Sequence, residues 1–150
     1  MRALLDVNVI IALLDRGHVM HTSACTWLER NLNHGWATCP LTQTGVVRIM
    51  AQPAYPNPQP AQQVAARLAE ACDHASHVFW PQQISLLQEG LIRWDRILGP
   101  RQITDAYLLA LAVAHGGRLV SFDQRIDPQQ VPGANASHLW VIAADGADAG

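Results

Sequence analysis

At 150 residues the chain has the length of one domain with a sizeable core. Its formal net charge of −2 excludes a protein held to nucleic acid by bulk positive charge, so any such contact must be local. Hydrophobic residues at 49% against charged residues at 15% leave few charges to solvate a surface, which predicts apolar surface buried against another chain.

Residues 2–6 read as a first strand, followed by a short helix to about Leu14 and a turn at DRGH, 15–18. Thr22 or Ser23 is placed to cap a helix through WLERNLN, with Gly35 just past its end. WATC (36–39) is a second strand. Pro40 can open a third helix to about Met50, because its missing N–H does no harm there. PAYPNPQP, with four prolines in eight residues, is an irregular loop. AQQVAARLAEACDHA is a helix with Val64, Leu68 and Cys72 along one face. HVFW (77–80) is a third strand, stopped by Pro81. ISLLQEGLIRWDRILG has helical period, with Gly90 as a point of division. Gly99-Pro100 breaks the chain before the most apolar helix, roughly 102–115. RLVSF (118–122) and HLWVI (138–142) are the fourth and fifth strands. The tail AADGADAG, 143–150, reads as disordered outside a domain of 1–142. Strands alternating with helices predict an α/β fold, a three-layer α/β/α sandwich around a mainly parallel sheet of about five strands.

MRALLDVNVIIALLDRG is too short an apolar run for a membrane span, is interrupted by Asp6 and carries no signal-peptide cleavage pattern. Cys25, Cys39 and Cys72 are odd in number and form no CxxC, which fits reduced core residues in a cytoplasmic protein. The seven histidines form no HExxH, and the five tryptophans read as core or interface residues before they read as base-stacking ones.

Three aspartates stand where buried apolar segments meet loops. Asp6 ends the first strand, Asp123 follows the fourth, and Asp105 lies near the start of the most apolar helix. In an open parallel sheet, ligands bind outside the carboxyl ends of the strands. Three carboxylates gathered there repel one another unless a cation screens them, and an oxygen-only set suits Mg²⁺ or Mn²⁺. Taken singly, each has a plain reading. Asp6 and Asn8 are possible caps, Asp123 a turn residue, and Asp105 a helix-dipole residue worth roughly 0.3–1 kcal/mol. Together they point to metal-assisted hydrolysis at phosphate, by a water whose pKa the cation lowers.

LLDVNVIIALL, WATCPLTQTGVVRIM and QITDAYLLALAVAHGGRLVSFDQRI resemble, in order, the blocks of the PIN-domain ribonucleases. The closest resemblance is to the VapC-type toxins of bacterial toxin–antitoxin pairs, and it covers nearly the whole chain. It implies Mg²⁺ or Mn²⁺, cleavage of single-stranded or loop regions of RNA, a homodimer, and neutralisation by a small VapB-type antitoxin. Asp6, Asp105 and Asp123 match the catalytic, metal-holding acids. Asn8 and Ser121 would orient a ligand or carboxylate, and Arg48 or Arg101 would contact phosphate. The family usually has glutamate after the threonine of the second block, where this chain has Gln43 after Thr42. Gln43 is expected to face the metal pocket and offer a carbonyl oxygen, with Thr42 capping the helix or holding a water. Asp127 is a candidate fourth acid whose plainer reading is a turn residue before Pro128. The apolar IIALL run near the acidic edge is the expected dimer surface.

Other readings fare differently. A haloacid-dehalogenase-type phosphatase needs a second acid where Asn8 stands and a lysine, and all ten basic residues here are arginine. A P-loop enzyme is excluded because no GKS or GKT occurs. Two alternatives stay open at this level: a non-catalytic binding module silenced at Gln43, and a DNA nuclease of the same fold.

Overall fold

The strands are short and apolar because both faces of the sheet are covered. In the computed structural model, which describes residues 1–144, they are β1 (Ala3–Leu5), β2 (Trp36–Thr38), β3 (His77–Phe79), β4 (Arg118–Ser121) and β5 (Leu139–Val141). All pair in parallel, in the order β3-β2-β1-β4-β5. The period-2 alternation of a strand divides them between two cores. Ala3, Leu5 and Val120 enter one, and Leu4 and Leu119 the other. The first core is covered by α1 (Val7–Leu14), α2 (His21–Asn31), α3 (Pro40–Met50) and α4 (Ala61–Cys72). The second is covered by α5 (Arg101–Ala114), whose residues from Ala106 to Ala112 are all buried, and by the segment 81–100. This is the expected three-layer α/β/α sandwich. No helix among the described residues is long and apolar enough to cross a membrane.

The topology has a direct consequence for function. After β1 the chain builds outward through β2 and β3, then returns to lay β4 on the other side of β1. That reversal is the switch point at which the loops diverge and leave a crevice. Asp6 and Asp123 leave the two strands that flank it.

Four expectations are corrected. The 85–98 segment forms turns and one 3₁₀ turn at Trp94–Arg96 rather than an α-helix. Gly90 takes φ +80, and Ser85 accepts the Leu87 N–H at 3.1 Å, so local turns compete with the helix. Tertiary bonds then fix the segment: Arg93 N–H donates to Gln130 O at 2.8 Å, and Tyr107 Oη donates to Ile84 O at 2.7 Å. Second, α2 begins at His21 after Met20, so Thr22 and Ser23 lie inside it; the Ser23 hydroxyl donates to Ala144 O. Third, Asp105 sits in the second turn of α5, beyond the reach of a capping role. Fourth, Ile10, Ile11 and Ala12 of the IIALL run are buried in the first core, which leaves only the half-buried Leu13 and Leu14 of that run toward a dimer surface. Of the tail expected to be disordered, residues 145–150 lie outside the described residues.

Gly45 sets how closely α3 approaches the start of α1. A Cβ there would stand 2.8 Å from Val7 Cγ2. Gly45→Ala should therefore cost about 1–3 kcal/mol in urea unfolding. Adding Val7→Ala should recover part of that loss, because the two side chains compete for one space.

Candidate active site

Asp6 is held by both of its oxygens. Oδ1 accepts the Val7 N–H at 2.8 Å, which makes Asp6 the N-cap of α1, and Oδ2 accepts the Ser121 hydroxyl at 2.7 Å. Ser121 is fully buried at the end of β4; its Oγ accepts from Asn8 Nδ2 at 3.2 Å and from Asp123 N–H at 3.0 Å. One hydroxyl thus ties β1, α1 and the loop after β4 together. The capping role of Asp6 is the means by which its carboxylate is fixed, so it does not compete with a site role.

Asp123 Oδ1 accepts from Arg125 N–H at 2.9 Å and Arg125 Nε at 3.1 Å, and Oδ2 accepts from the guanidinium at 3.3 Å. Arg125 was not singled out from the sequence. Its signal is the Asp-x-Arg spacing, in which the aspartate turns the chain and places the arginine over its own carboxylate.

The electrostatics differ among the three. Burial pushes the Asp6 carboxyl up, partly countered by the Ser121 and Val7 bonds, and Asp123 adds to the rise. Burial, then the charges of Asp6 and Asp123, pushes Asp105 up to about 7, against a smaller pull from Arg125. The Arg125 hydrogen bond holds Asp123 below the usual carboxylate range.

The three carboxylates line one cleft of about 390 Å³, together with Asn8, His18 and Tyr55. A second cleft of about 530 Å³ also reaches Asp6 and is bordered by Thr44, Gly45, Arg48 and Thr104. A narrow one of about 60 Å³ brings Arg101 and Arg125 beside Asp105 and Asp123. Arg48 and Arg101 therefore do border the acidic edge. An apolar groove of about 500 Å³ between α2 and α4 holds no member of the trio.

Gln43 sits on α3 as expected but does not line either cleft that Asp6 shares. Its Nε2 donates to Thr38 Oγ1 at 3.0 Å, and Thr38 in turn bonds His77 Nε2 at 2.8 Å. Burial holds the His77 imidazole below its usual range, which suits a neutral acceptor for the Thr38 hydroxyl. Thr44, one position on and about 100° around the helix, is among the α3 residues that line the larger cleft with Asp6. Thr42 is buried and spent on the helix start, its Oγ1 accepting Cys39 N–H at 3.0 Å and donating to Cys39 O at 3.1 Å. Asp127 caps the 3₁₀ turn Pro128–Gln130 by accepting Gln129 N–H at 2.9 Å, so its plain reading stands. Trp27, Trp36 and Trp80 are buried. Tyr55 and His18, which line the cleft, were not assigned a site role from the sequence; a single aromatic residue in the proline-rich loop was the only cue for Tyr55.

A divalent cation is the group this donor set implies. The oxygens are hard, and the repulsion from Asp6 and Asp123, which adds to burial in raising Asp105, is what a cation would relieve. Among the described residues no three His, Cys, Asp or Glu side chains stand close enough to enclose an ion by themselves. The fit is therefore to an ion that keeps part of its water shell, as Mg²⁺ does. The sign of the pH dependence follows. Asp105 is raised from 3.8 to about 7 in the folded chain, so between those values the folded state holds a proton that the unfolded state has lost. Metal-free protein should lose stability as pH rises from about 4 to about 7, then level off. Melting temperatures in chelator across that range check this, and a rise with pH in that window would contradict it.

With this geometry established, the comparisons with known proteins become decisive. The family model described as PIN domain matches residues 3–129. Ribonuclease VapC44 of Mycobacterium tuberculosis is 50% identical over 142 residues, 95% of this chain and 100% of that protein. This chain is a PIN-domain protein of the VapC group. A second relative, Ribonuclease VapC39 of M. tuberculosis, is 41% identical over 124 residues, 82% of this chain and 89% of the relative. Among solved structures, the crystal structure of VapBC2 from Rickettsia felis bound to a promoter DNA fragment matches with a TM-score of 0.62 at 14% identity. That match covers 95% of this chain and 100% of the other, and at this identity it speaks to the fold alone.

Proposed function

We propose that this chain is the endoribonuclease toxin of a toxin–antitoxin pair, cutting single-stranded or loop RNA with Mg²⁺ or Mn²⁺. One observation carries the reading. Asp6, Asp105 and Asp123 meet in a cleft at the switch point of a chain half identical over its length to a named ribonuclease. A bound cation would neutralise charge on the phosphate and acidify a water. Asp6, Asp105 and Asp123 would hold that cation or its waters. Ser121 and Asn8 keep the Asp6 carboxylate aimed into the cleft through bonds of 2.7 and 3.2 Å. Arg48, Arg101 and Arg125 border the clefts from which they would engage the RNA backbone. With a net charge of −2, these local arginines would have to supply the attraction that the whole molecule lacks.

The partner reading is a small VapB-type antitoxin that lays an apolar segment on the toxin and directs a basic side chain at the acidic cleft. A homodimer in the cytoplasm completes the proposal. The surface available for it includes Val78 and Phe79 on the edge strand β3, which remain exposed. A small reading frame just upstream would support the antitoxin. The direct test incubates purified chain with structured RNA and with single-stranded DNA, in Mg²⁺, in Mn²⁺ and in chelator. RNA cleavage that requires metal is expected. Intact RNA under every condition would leave a binding module, and equal cutting of DNA would overturn the RNA preference.

A further inference from the structure

The acid cleft is not lined by carboxylates alone. Tyr55 and His18 share its wall with the three acids and with the apolar side chains of Ile11 and Ile49. Both rings are positioned by Asp15, the C-cap of α1. Its Oδ2 accepts the Tyr55 hydroxyl, its Oδ1 accepts Gly17 N–H at 3.0 Å, and its carbonyl accepts His18 N–H at 3.0 Å. The Tyr55 loop is stiff, with Pro53, Pro56, Pro58 and Pro60 restricting its backbone and Gln59 N–H donating to Met50 O at 3.2 Å. His18 Nδ1 accepts Met20 N–H at 3.0 Å, which puts the neutral ring's proton on Nε2 as a donor.

A phosphodiester by itself has no use for an aromatic wall, and the carboxylates already account for a cation and a phosphate. A planar heterocycle does use it. Unstacked bases of single-stranded RNA are held by stacking on aromatic side chains and by donors to their edges. At about 390 Å³ the cleft is large enough to take a nucleotide rather than a phosphate alone. Because Asp15 and the prolines fix the rings in advance, little ordering cost is left for the ligand to overcome.

We propose that Tyr55 and His18 form a nucleobase subsite, which seats the base of a nucleotide whose phosphate lies at Asp6, Asp105 and Asp123. The subsite rests on the ribonuclease reading and adds to it a determinant of which residues the enzyme favours next to the cut. Tyr55 supplies the stacking face, and His18 supplies an edge donor.

The probes are the four ribonucleoside 5′-monophosphates and ribose 5-phosphate, each titrated into the full chain with Mg²⁺ and followed by the NMR signals of the Tyr and His rings. At least one nucleotide should bind roughly 5- to 150-fold tighter than ribose 5-phosphate. Tyr55→Leu should erase that difference while leaving Mg²⁺ affinity unchanged, and Tyr55→Phe should preserve it. Equal binding of all five probes to the parent would overturn the subsite alone. So would a base preference that survives in Tyr55→Leu. No binding of any probe at tens of millimolar would count against the phosphate site itself. The parent comparison and Tyr55→Phe decide the matter even if Tyr55→Leu fails to fold.

Discussion

Asp105→Asn should lower kcat/KM for RNA cleavage by about 100-fold or more, a loss of about 2.7 kcal/mol of transition-state stabilisation. Asp6→Asn and Asp123→Asn should act in the same direction, but their structural consequences differ. Asn at position 6 can still cap α1, yet it cannot accept from both Val7 N–H and the Ser121 hydroxyl as the carboxylate does at 2.8 and 2.7 Å. Asn at 123 frees Arg125, which forms an ion pair with Asp123 at 3.1 Å. Asp105 stands outside those bonds, so Asp105→Asn is the cleanest test. It also removes the group whose carboxyl is pushed up to about 7. In chelator, the variant should therefore melt higher than the parent at pH 8 and show a flatter fall in melting temperature between pH 4 and 7. Parent-like cleavage by Asp105→Asn would refute the acid trio. An unaltered pH slope would show that Asp105 is not the group that titrates in that window.

The second large effect separates two neighbouring positions on α3. Family resemblance puts the fourth acid at Gln43, but the structure bonds Gln43 to Thr38 and places Thr44 on the wall of a cleft that Asp6 also lines. Thr44→Glu adds a carboxylate to a cleft already lined by Asp6. At an effective dielectric of about 20, unit charges ~4 Å apart interact by ~4 kcal/mol before desolvation and carboxylate repulsion are subtracted. A net gain of ~1.4 kcal/mol would lower the metal concentration for half-maximal activity about tenfold. Gln43→Glu should leave that concentration unchanged. Its new carboxylate would meet the Thr38 hydroxyl, which now bonds His77 at 2.8 Å, so the change should appear instead in the His77 imidazole, read by NMR titration. A tenfold gain from Gln43→Glu, with none from Thr44→Glu, would mean that α3 rotates when the metal binds.

Much of the architecture was legible along the chain, because local pattern reports local burial. Short apolar runs, among them those ended by Asp6, Pro81 and Asp123, located all five strands to within a residue or two. Pro40 marked the start of α3, and Gly99-Pro100 the break before α5. Since a parallel sheet presents every carboxyl end on one edge, the same pattern put Asp6 and Asp123 on the ligand side. The helical period of 85–98 misled for a physical reason. Periodicity measures which residues can share a face, whereas the backbone there follows the left-handed Gly90 and bonds to Gln130 made across the fold.

What the sequence by itself determined was thus the fold class, the strands and the acids that end them. Strand order, and with it the adjacency of β1 and β4 across the switch point, came only from tertiary structure, because periodicity carries no information about which strands are neighbours. The azimuth of α3 was likewise decided by packing. With Gly45 pressed against Val7, the helix turns Thr44 to the cleft and leaves Gln43 to the β2–β3 edge. Tyr55 gained its place through a contact that no spacing rule encodes, a phenol tethered to Asp15 from 40 residues away.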